Sequence, residues 1–425
     1  MMNSTCDVGK VINIKEFIVE IVGLDNVSFY EKVNIANKAI GYVTKINVNS
    51  IIVALVSKKK EIVIGDSAYQ TNEEFKGKFS SDSLGRITNI FGMDLLSNMQ
   101  YKNSMEVSFE EDNIPLMDRT DVNRPLLTGI VGIDLIYPIG RGQRQLIIGD
   151  KKTGKTQVCL DTIVNQKGKN IVCIYVAIGK TKKEVKDIYY ELLKRNAMDY
   201  TIIISAFNDD PAPVLVLTPY YALTVAKMIM LGKRDVLVVI DDLKRHADAY
   251  REISLISGKN PGRDAYPSDI FYLHSRLLEK GCQYKNGASI TILPIVETRG
   301  GDITDYISTN IISITDGQIV LSRKNFLKGE KPAINYGLSV SRLGGAVQSS
   351  SMKELGANVR RLLLNYLDTR EIYELANTDE MSEELRTRLF RGKAILEQLI
   401  QNKYTPVNEE EVMEKFKFLK DNNNG

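Results

Sequence analysis

The sequence predicts an α/β domain set between a small N-terminal domain of short β-strands and a C-terminal α-helical domain. Short β-like runs crowd residues 15–90, apolar strand-like runs alternate with helical stretches over 125–345, and only helical patterns follow from about 350. A chain of 425 residues has room for two or three domains. We therefore set the domain bounds at 1–92, 93–348 and 349–425.

The N-terminal segment is divided into short β-like runs by turns rich in Gly, Asn, Asp and Lys. The runs lie at 17–22, 39–48, 51–56, 61–64 and 86–91. Many short strands within so few residues are typical of a barrel or a sandwich. The runs alone leave both architectures open.

The central segment alternates continuous Val- and Ile-rich runs with helical stretches. The strand-like runs lie at 145–148, 170–177, 201–206, 236–241, 290–296 and 311–315. Apolar runs flanked by helices predict a mostly parallel sheet that is covered on both faces. Such a sheet binds its ligands at the carboxyl ends of the strands.

The C-terminal segment carries the signals of amphipathic helices. Ser382 is a predicted N-cap, with Glu383 and Glu384 in the first helical turn. Leucines and one isoleucine follow at roughly helical spacing, at Leu385, Leu389, Leu396, Leu399 and Ile400. These positions predict a small helical domain.

The amino-acid composition and the net charge limit the kinds of protein that this chain could be. The net charge is only +3, which by itself gives no argument for nucleic-acid binding. Four cysteines without a CxxC pair and two histidines supply no metal cluster, and they are typical of a reduced, cytoplasmic protein. We see no apolar run that approaches the roughly 20 residues of a membrane span. We therefore expect membrane association only through partner subunits.

The most specific motif is the segment 149–156, which matches G-x-x-x-x-G-K-T. It follows the strand-like run 145–148 and opens a helix-like run, the context of a phosphate-binding loop, or P-loop. Glycines at 149 and 154 permit a tight turn whose N–H groups face one phosphate. Lys155 can reach the β- and γ-phosphates, and Thr156 can offer its hydroxyl to Mg²⁺. The motif predicts bound ATP or ADP with Mg²⁺.

A second signal is the acidic end of the run 236–241. In a P-loop protein, an aspartate at this point, here Asp241, is the expected partner of Mg²⁺, usually through water. Asp242 is the predicted N-cap of the helix that follows.

Further segments match one family in order along the chain. They are 128–130, 138–143, 149–156, 175–179, 261–267, 271–279, 294–298, 309–318 and 337–342. On these segments the chain resembles the alpha subunit of the F-type rotary ATP synthase. The resemblance covers about 15–415 and is densest over 128–345.

The resemblance implies a RecA-like P-loop nucleotide domain, a β-barrel crown and a C-terminal helical domain. It further implies a hexamer of alternating alpha and beta subunits around a rotating shaft. In that assembly the chain is a non-catalytic, Mg-ATP-binding subunit that donates an arginine finger to the adjacent catalytic beta-type site. The implied partners are this beta-type subunit and the central rotor shaft, with no nucleic acid and with membrane contact only through partner subunits.

The loop and the resemblance together give the predicted site residues. Those for the nucleotide are Gly149, Asp150, Lys151, Lys152, Thr153, Gly154, Lys155, Thr156, Gln157, Asp241, Glu297, Phe326, Lys331 and Pro332, of which Thr156 and Asp241 are the predicted Mg²⁺ ligands. By resemblance, Glu297 stands near Mg²⁺ through water, and the last three residues line the adenine pocket. Arg342 matches the arginine that reaches across the subunit interface, a role that suits a permanently charged, forked guanidinium.

The residue at position 180 distinguishes a catalytic subunit from a non-catalytic one. By resemblance, catalytic subunits carry a water-orienting Glu there and alpha subunits usually carry Gln, whereas this chain has Lys180. A charged ammonium has no lone pair with which to orient water. Glu184, one helical turn later, is either a displaced substitute or, as we favour, a solvated helix residue beside Lys182 and Lys183.

Two alternatives remain open. A self-sufficient homohexameric motor of the secretion type requires a working base at or near position 180. A hexameric RNA helicase requires a basic, aromatic-rich binding face, which we do not find in 15–90.

The chain also departs from the family pattern. Lys151 and Lys152 stand where Arg and Gln are usual, Lys331 replaces an Arg, and Gln157 replaces a small residue near the α-phosphate. About 15 residues precede the first strand, and the C-terminal domain is truncated soon after 404–407. We therefore expect stator attachment unlike that of the family, in a specialised rotary ATPase, and we expect the loop 261–269 to face the rotor shaft.

Overall fold

The N-terminal segment forms a closed six-stranded barrel, as predicted. The computed structural model describes residues 8–110, 113–373 and 383–421. The barrel strands are β1 (Val8–Lys15), β2 (Ile18–Val22), β3 (Glu31–Ile35), β4 (Ala39–Ile46), β5 (Ile51–Lys58) and β6 (Ser67–Glu74). They pair in the order β1-β2-β5-β4-β3-β6, and β1 closes the barrel on β6. Alternate residues such as Val19, Ile21, Val33 and Val53 fill its interior.

The remaining strands and helices follow in chain order. The strands are β7 (Gly77–Phe79), β8 (Ile87–Thr88), β9 (Met93–Asp94), β10 (Met99–Gln100), β11 (Met105–Val107), β12 (Arg119–Thr120), β13 (Pro125–Leu126), β14 (Ile139–Gly140), β15 (Leu146–Asp150), β16 (Ile171–Lys180), β17 (Thr201–Phe207), β18 (Asp235–Asp241), β19 (Cys282–Tyr284), β20 (Ser289–Thr298), β21 (Gly317–Leu321) and β22 (Val340–Ser341). The helices are α1 (Val131–Ile136), α2 (Lys155–Val164), α3 (Lys182–Leu193), α4 (Ala212–Leu231), α5 (Leu243–Ile256), α6 (Ile270–Leu278), α7 (Tyr306–Ile314), α8 (Arg323–Leu327), α9 (Ser350–Tyr373), α10 (Glu383–Leu399), α11 (Glu409–Lys415) and α12 (Phe418–Asp421).

The central sheet is built around a parallel core in the order β17-β16-β18-β20-β15-β21. Its strands are buried along almost their whole length, which is why their sequences are continuous apolar runs. Because the strands are parallel, their carboxyl ends meet at one edge of the sheet. That edge collects the P-loop after β15, Lys180 at the end of β16, Asp241 at the end of β18 and Glu297 near the end of β20.

Three strand predictions are wrong. Residues 311–315 lie in or next to helix α7, which Asp305 caps by accepting from the N–H groups of Ile307 and Ser308. Residues 61–64 form no strand, and the barrel uses β6 instead. The run 86–91 contains only β8, which pairs with β17 in the central sheet and not with the barrel. The domain bounds at 92 and 348 stay predictions.

The C-terminal segment is helical, as predicted. Helix α10 begins at Glu383, and the predicted cap Ser382 lies outside the described residues. Helices α9 and α10 pack against each other, and α9 also packs against α1 of the nucleotide domain.

Helix α4 corrects the expectation that no apolar run approaches membrane length. It has 20 residues and a mean hydropathy of 1.7, so by length and composition it is the one helix among the described residues that could cross a membrane. In the fold, 72% of that apolar stretch is buried inside the protein. Helix α4 packs against α5 and against β16, β17 and β18, which makes it a core helix.

Candidate functional site

The P-loop joins β15 to α2 in the geometry that its sequence predicts. Gly154 has φ +101°, a left-handed conformation that a glycine adopts without strain. Lys155 is buried, and its ammonium donates to the carbonyl oxygen of Asp150 over 2.6 Å. Burial lowers the pKa of Lys155, and the nearby carboxylates, Glu297 first among them, oppose that shift. The loop thus holds the ammonium of Lys155 at the floor of the cleft that the loop borders.

Beside the P-loop lies a cleft, whose phosphate end is the part lined by the loop and by Asp241. Asp241 makes several polar contacts there. Its Oδ2 accepts from the Thr156 hydroxyl over 2.7 Å and from the Tyr175 hydroxyl over 2.5 Å. The ammonium of Lys180 lies 3.0 Å from Oδ1. Burial raises the pKa of Tyr175 well above its usual value, and the Asp241 charge adds to this, so the phenol stays a donor. Both oxygens of Asp241 therefore face donors.

Asp242 has a different task from its neighbour. Its side chain caps helix α5 by accepting from the N–H of Arg245 over 2.8 Å, as the sequence predicts. Burial, together with the charge of Asp241, raises the pKa of Asp242 to about 6. The Arg245 guanidinium donates to the carbonyl of Gly179 and fixes the end of β16.

One cleft of about 720 Å³ brings most of the predicted site residues together. Those that line it are Lys151, Lys152, Thr153, Gly154, Lys155, Thr156, Gln157, Asp241, Glu297, Phe326, Lys331 and Pro332. The cleft is also lined by residues that the site prediction did not include, namely Val158, Asp161, Lys180, Glu184, Asp242, Arg245, Ala333, Gln401, Asn402 and Lys403.

Gly149 and Asp150 lie beneath the loop and not among the residues that line the cleft. A Cβ on Gly149 would stand 2.4 Å from the carbonyl oxygen of Leu321, so the strands pack too closely there for any other residue. Asp150 Oδ1 accepts from the Thr298 hydroxyl and from the N–H of Gly301, each over 2.7 Å. Both residues fix the loop from below.

The far end of the cleft combines an aromatic ring, a lysine and the C-terminal segment. The Lys331 ammonium lies 4.8 Å from the ring centroid of Phe326, a cation–π contact. The N–H of Gln401 donates to the Lys331 carbonyl over 2.7 Å. Gln157 donates to Asp161, which also accepts from the N–H of Tyr404. Residues 401–403 thus form one wall of the cleft, and no local sequence motif predicts it.

Glu184 faces the cleft but is engaged as part of a helix cap. Its carboxylate accepts from both the N–H and the hydroxyl of Thr181, each over 2.8 Å, in a capping box at the start of α3. The hydrogen bond from the Thr181 N–H is the first cause of its lowered pKa. The geometry favours the structural interpretation of Glu184 over a displaced catalytic base.

Arg342 stands away from the chain's own cleft. It is exposed and directly follows β22, which pairs with β21 so that Ser341 lies opposite Gly317. The P-loop strand pairs with the other end of β21, where Gly149 lies opposite Leu321. Four residues of extended strand separate the two ends, roughly 13 Å. Arg342 therefore lies apart from the P-loop of its own chain.

The donor set at the phosphate end fits Mg²⁺. Thr156 gives its proton to Asp241, so its hydroxyl oxygen keeps lone pairs for a cation. Mg²⁺ prefers oxygen ligands and binds through one or two protein groups together with phosphates and water. Consistent with this sparse mode, no group of three or more His, Cys, Asp or Glu side chains in the described ranges could hold a metal ion alone.

Comparisons with known proteins identify the family of the chain. The nucleotide-binding domain of the ATP synthase alpha/beta family matches residues 129–341. The sodium-ion-specific ATP synthase subunit alpha of Acetobacterium woodii is 41% identical over 407 residues, which are 95% of this chain and 80% of that protein. The ATP synthase subunit alpha of Clostridium acetobutylicum is 41% identical over 408 residues, with the same coverage. The chain therefore belongs to the ATP synthase alpha/beta family and groups with its nucleotide-binding alpha subunits.

Proposed function

We propose that the chain is the non-catalytic, Mg-ATP-binding subunit of a hexameric rotary ATPase head, and that Arg342 completes the neighbouring catalytic site. The observation that carries this proposal is the ion pair between Lys180 and Asp241. Hydrolysis needs an acceptor that orients the attacking water. At the point of the cleft where such an acceptor would act, the chain instead places an ammonium.

The arrangement of the cleft supports nucleotide binding. The P-loop N–H groups and Lys155 would hold the phosphates, and Phe326 with Pro332 would contact the base. Thr156 directly, and Asp241 through water, would hold Mg²⁺, which when bound neutralises phosphate charge. Lys180 is a cation and Glu184 is engaged in the cap of α3, so neither side chain is suited to activate water.

Arg342 supports a role in a neighbouring subunit. It lies at the opposite end of β21 from the P-loop, and its guanidinium donates to the carbonyl of Ile312 over 3.4 Å. An exposed guanidinium of this kind can reorient toward phosphates on another chain. An arginine finger supplied in this way is worth roughly 10³–10⁵ in rate.

The partners follow from the same proposal. A catalytic beta-type subunit would receive Arg342, and a rotor shaft would face the loop after α5, whose residues 258–265 are exposed. Contact with a membrane would come only through further partner subunits. A homohexameric secretion-type motor or an RNA helicase is not favoured, because each would have to hydrolyse ATP in the cleft that holds Lys180.

The test measures Mg-ATP hydrolysis by the purified chain, by a beta-type subunit of a rotary ATPase from the same cell, and by the two together. We expect negligible turnover by the chain alone and turnover in the mixture. The Arg342→Ala variant should lower the rate of the mixture by at least about 10³-fold. The Lys155→Ala variant, which removes nucleotide only from this chain's cleft, should retain most of that rate.

Two results would count against the proposal. Turnover by the chain alone that is lost in Lys155→Ala would identify a self-sufficient motor, and Glu184 would then be the first residue to replace. A mixture in which Lys155→Ala is as damaging as Arg342→Ala would place catalysis in this chain's own cleft.

A further inference from the structure

Lys180 is held deep at the phosphate end of the cleft and not at the solvent boundary. Its side chain is 13% exposed and that of Asp241 is 3% exposed. The parallel pairing of β16 with β18 places Ala177 opposite Asp241, so Lys180 reaches the carboxylate from the adjacent strand end. The register of the sheet therefore fixes this pair.

Lys180 is not the donor that satisfies Oδ2 of Asp241. That oxygen already accepts from Thr156 and Tyr175. Lys180 adds a charge-assisted contact to Oδ1 in a poorly solvated place, where an ion pair is much less screened than at the surface. The net effect of Lys180 is to bring a fixed positive charge to the acid that would otherwise face Mg²⁺.

Lys155 and Lys180 each pair with one carboxylate at this end of the cleft, Lys155 with Glu297 and Lys180 with Asp241. The buried Asp242 adds a further carboxylate beside Asp241. Without Lys180, Asp241 would lose its ion-pair partner, and its charge would repel a nucleoside triphosphate that arrives without Mg²⁺. An ammonium carries three donors, so pairing with Asp241 leaves Lys180 able to donate to a phosphate as well.

We propose that Lys180 is a nucleotide-binding residue, a tethered cation that lets this chain hold ATP or ADP with little dependence on Mg²⁺. The inference rests on the proposed nucleotide binding and adds a property that the P-loop alone does not confer. Mg²⁺ would still bind beside Thr156, but it would contribute less to affinity than in a cleft without this lysine. Such a subunit keeps its nucleotide when free Mg²⁺ falls.

The experiment titrates the purified chain with methylanthraniloyl-ATP, once with excess Mg²⁺ and once with EDTA, and compares the two Kd values. For the wild-type chain we expect the Kd in EDTA to exceed the Kd in Mg²⁺ by only a few fold. For Lys180→Gln we expect that ratio to grow by roughly tenfold or more, which is the loss of one charge-assisted hydrogen bond. The affinity in Mg²⁺ should change much less.

A second readout uses Mn²⁺ in place of Mg²⁺ and measures its binding by electron paramagnetic resonance in the presence of ATP. Lys180→Gln frees Asp241 from its cation, so the variant should bind Mn²⁺ more tightly than the wild-type chain. Lys180→Arg keeps the charge, and we expect it to keep the wild-type ratio of Kd values. This variant also serves if Lys180→Gln does not fold, because a large ratio in Lys180→Arg would contradict the charge argument.

The matched control is Lys183→Gln, which removes an exposed lysine three residues away and should leave the ratio unchanged. A wild-type ratio as large as that of Lys180→Gln would overturn the inference while leaving nucleotide binding intact. Absence of binding by the wild-type chain in both buffers would instead overturn the proposed function. Lys155→Ala should lose binding in both, which shows that the titration reports this cleft.

Discussion

At the scale of single residues, the cleft depends on carboxylates that hold other groups in place. Asp241 orients Thr156 and Tyr175, Asp242 starts α5, and Asp150 fixes the P-loop from below. Each of these acids is buried, so each would be costly if its donors were absent. Their contacts compensate that cost and make the cleft rigid.

Asp150 is predicted to stabilise the fold and not to contact nucleotide. Asp150→Ala removes the acceptor of the Thr298 hydroxyl and the Gly301 N–H, so we expect the free energy of unfolding to fall by about 2 kcal/mol. Urea denaturation measures this loss when the variant and the wild-type chain show the same dependence of the free energy of unfolding on urea concentration. Asp302→Ala is the matched control, because Asp302 is exposed and accepts from the N–H and hydroxyl of Thr304, two residues away, and it should cost less than 1 kcal/mol. Equal losses in the two variants would contradict the assignment.

The sequence predicted those site residues whose signal is local. The P-loop positions follow from spacing within one strand, one turn and one helix, and Asp241 follows from the acidic end of an apolar run. Gln401 could not be found in that way, because it reaches the Val131 N–H from 270 residues along the chain. The resemblance to the family singles out Lys180, but its ion pair with Asp241 depends on which strands are neighbours. A strand order is a property of the whole sheet and not of any segment.

At the scale of elements, apolar runs did not always distinguish strand from helix. Residues 311–315 are rich in isoleucine, which favours a strand, yet they end helix α7. The cap at Asp305 and the burial of Ile307 and Ile311, one helical turn apart, decide for helix. Strand β21, between β15 and β22, then begins at Gly317, whose added Cβ would stand 2.4 Å from the carbonyl oxygen of Val340.

The contact between α9 and α10 gives a prediction at this scale. A Cβ on Gly392 would stand 2.2 Å from the Cβ of Tyr366, which the helix backbone holds in place. Gly392→Ala gains about 1 kcal/mol of helix propensity, but the overlap costs about 1–3 kcal/mol. We expect a net loss of stability and a lower midpoint of thermal unfolding by circular dichroism.

The control for this prediction is Arg391→Ala, an exposed neighbour in α10 that should leave the midpoint nearly unchanged. A Gly392→Ala variant that unfolds at a higher temperature than the wild-type chain would show that α9 and α10 can separate at no cost.

At the scale of the whole molecule, the C-terminal segment closes the nucleotide cleft. Gln401 bridges the domains, because its side chain accepts from the N–H of Val131 over 3.0 Å and donates to the carbonyl of Gly129 over 2.7 Å. The N–H of Tyr404 donates to Asp161 on α2, directly behind the P-loop. Hydrogen bonds therefore connect residues 401–404 directly to the nucleotide domain.

This connection predicts that ATP stabilises two domains together. Ligand at 100 times its Kd raises the free energy of unfolding by about 2.7 kcal/mol. In the wild-type chain we expect ATP to raise the unfolding temperature of the nucleotide domain and of the helical domain together, in one calorimetric transition. Gln401→Ala leaves the Val131 N–H without its acceptor and removes the bridge. In that variant the helical domain should unfold first, at a temperature that Mg-ATP no longer raises. The control is Gln398→Ala, a replacement in α10 outside the cleft wall, which should behave like the wild-type chain. A single ATP-dependent transition in Gln401→Ala would contradict the prediction and show that other contacts couple the two domains.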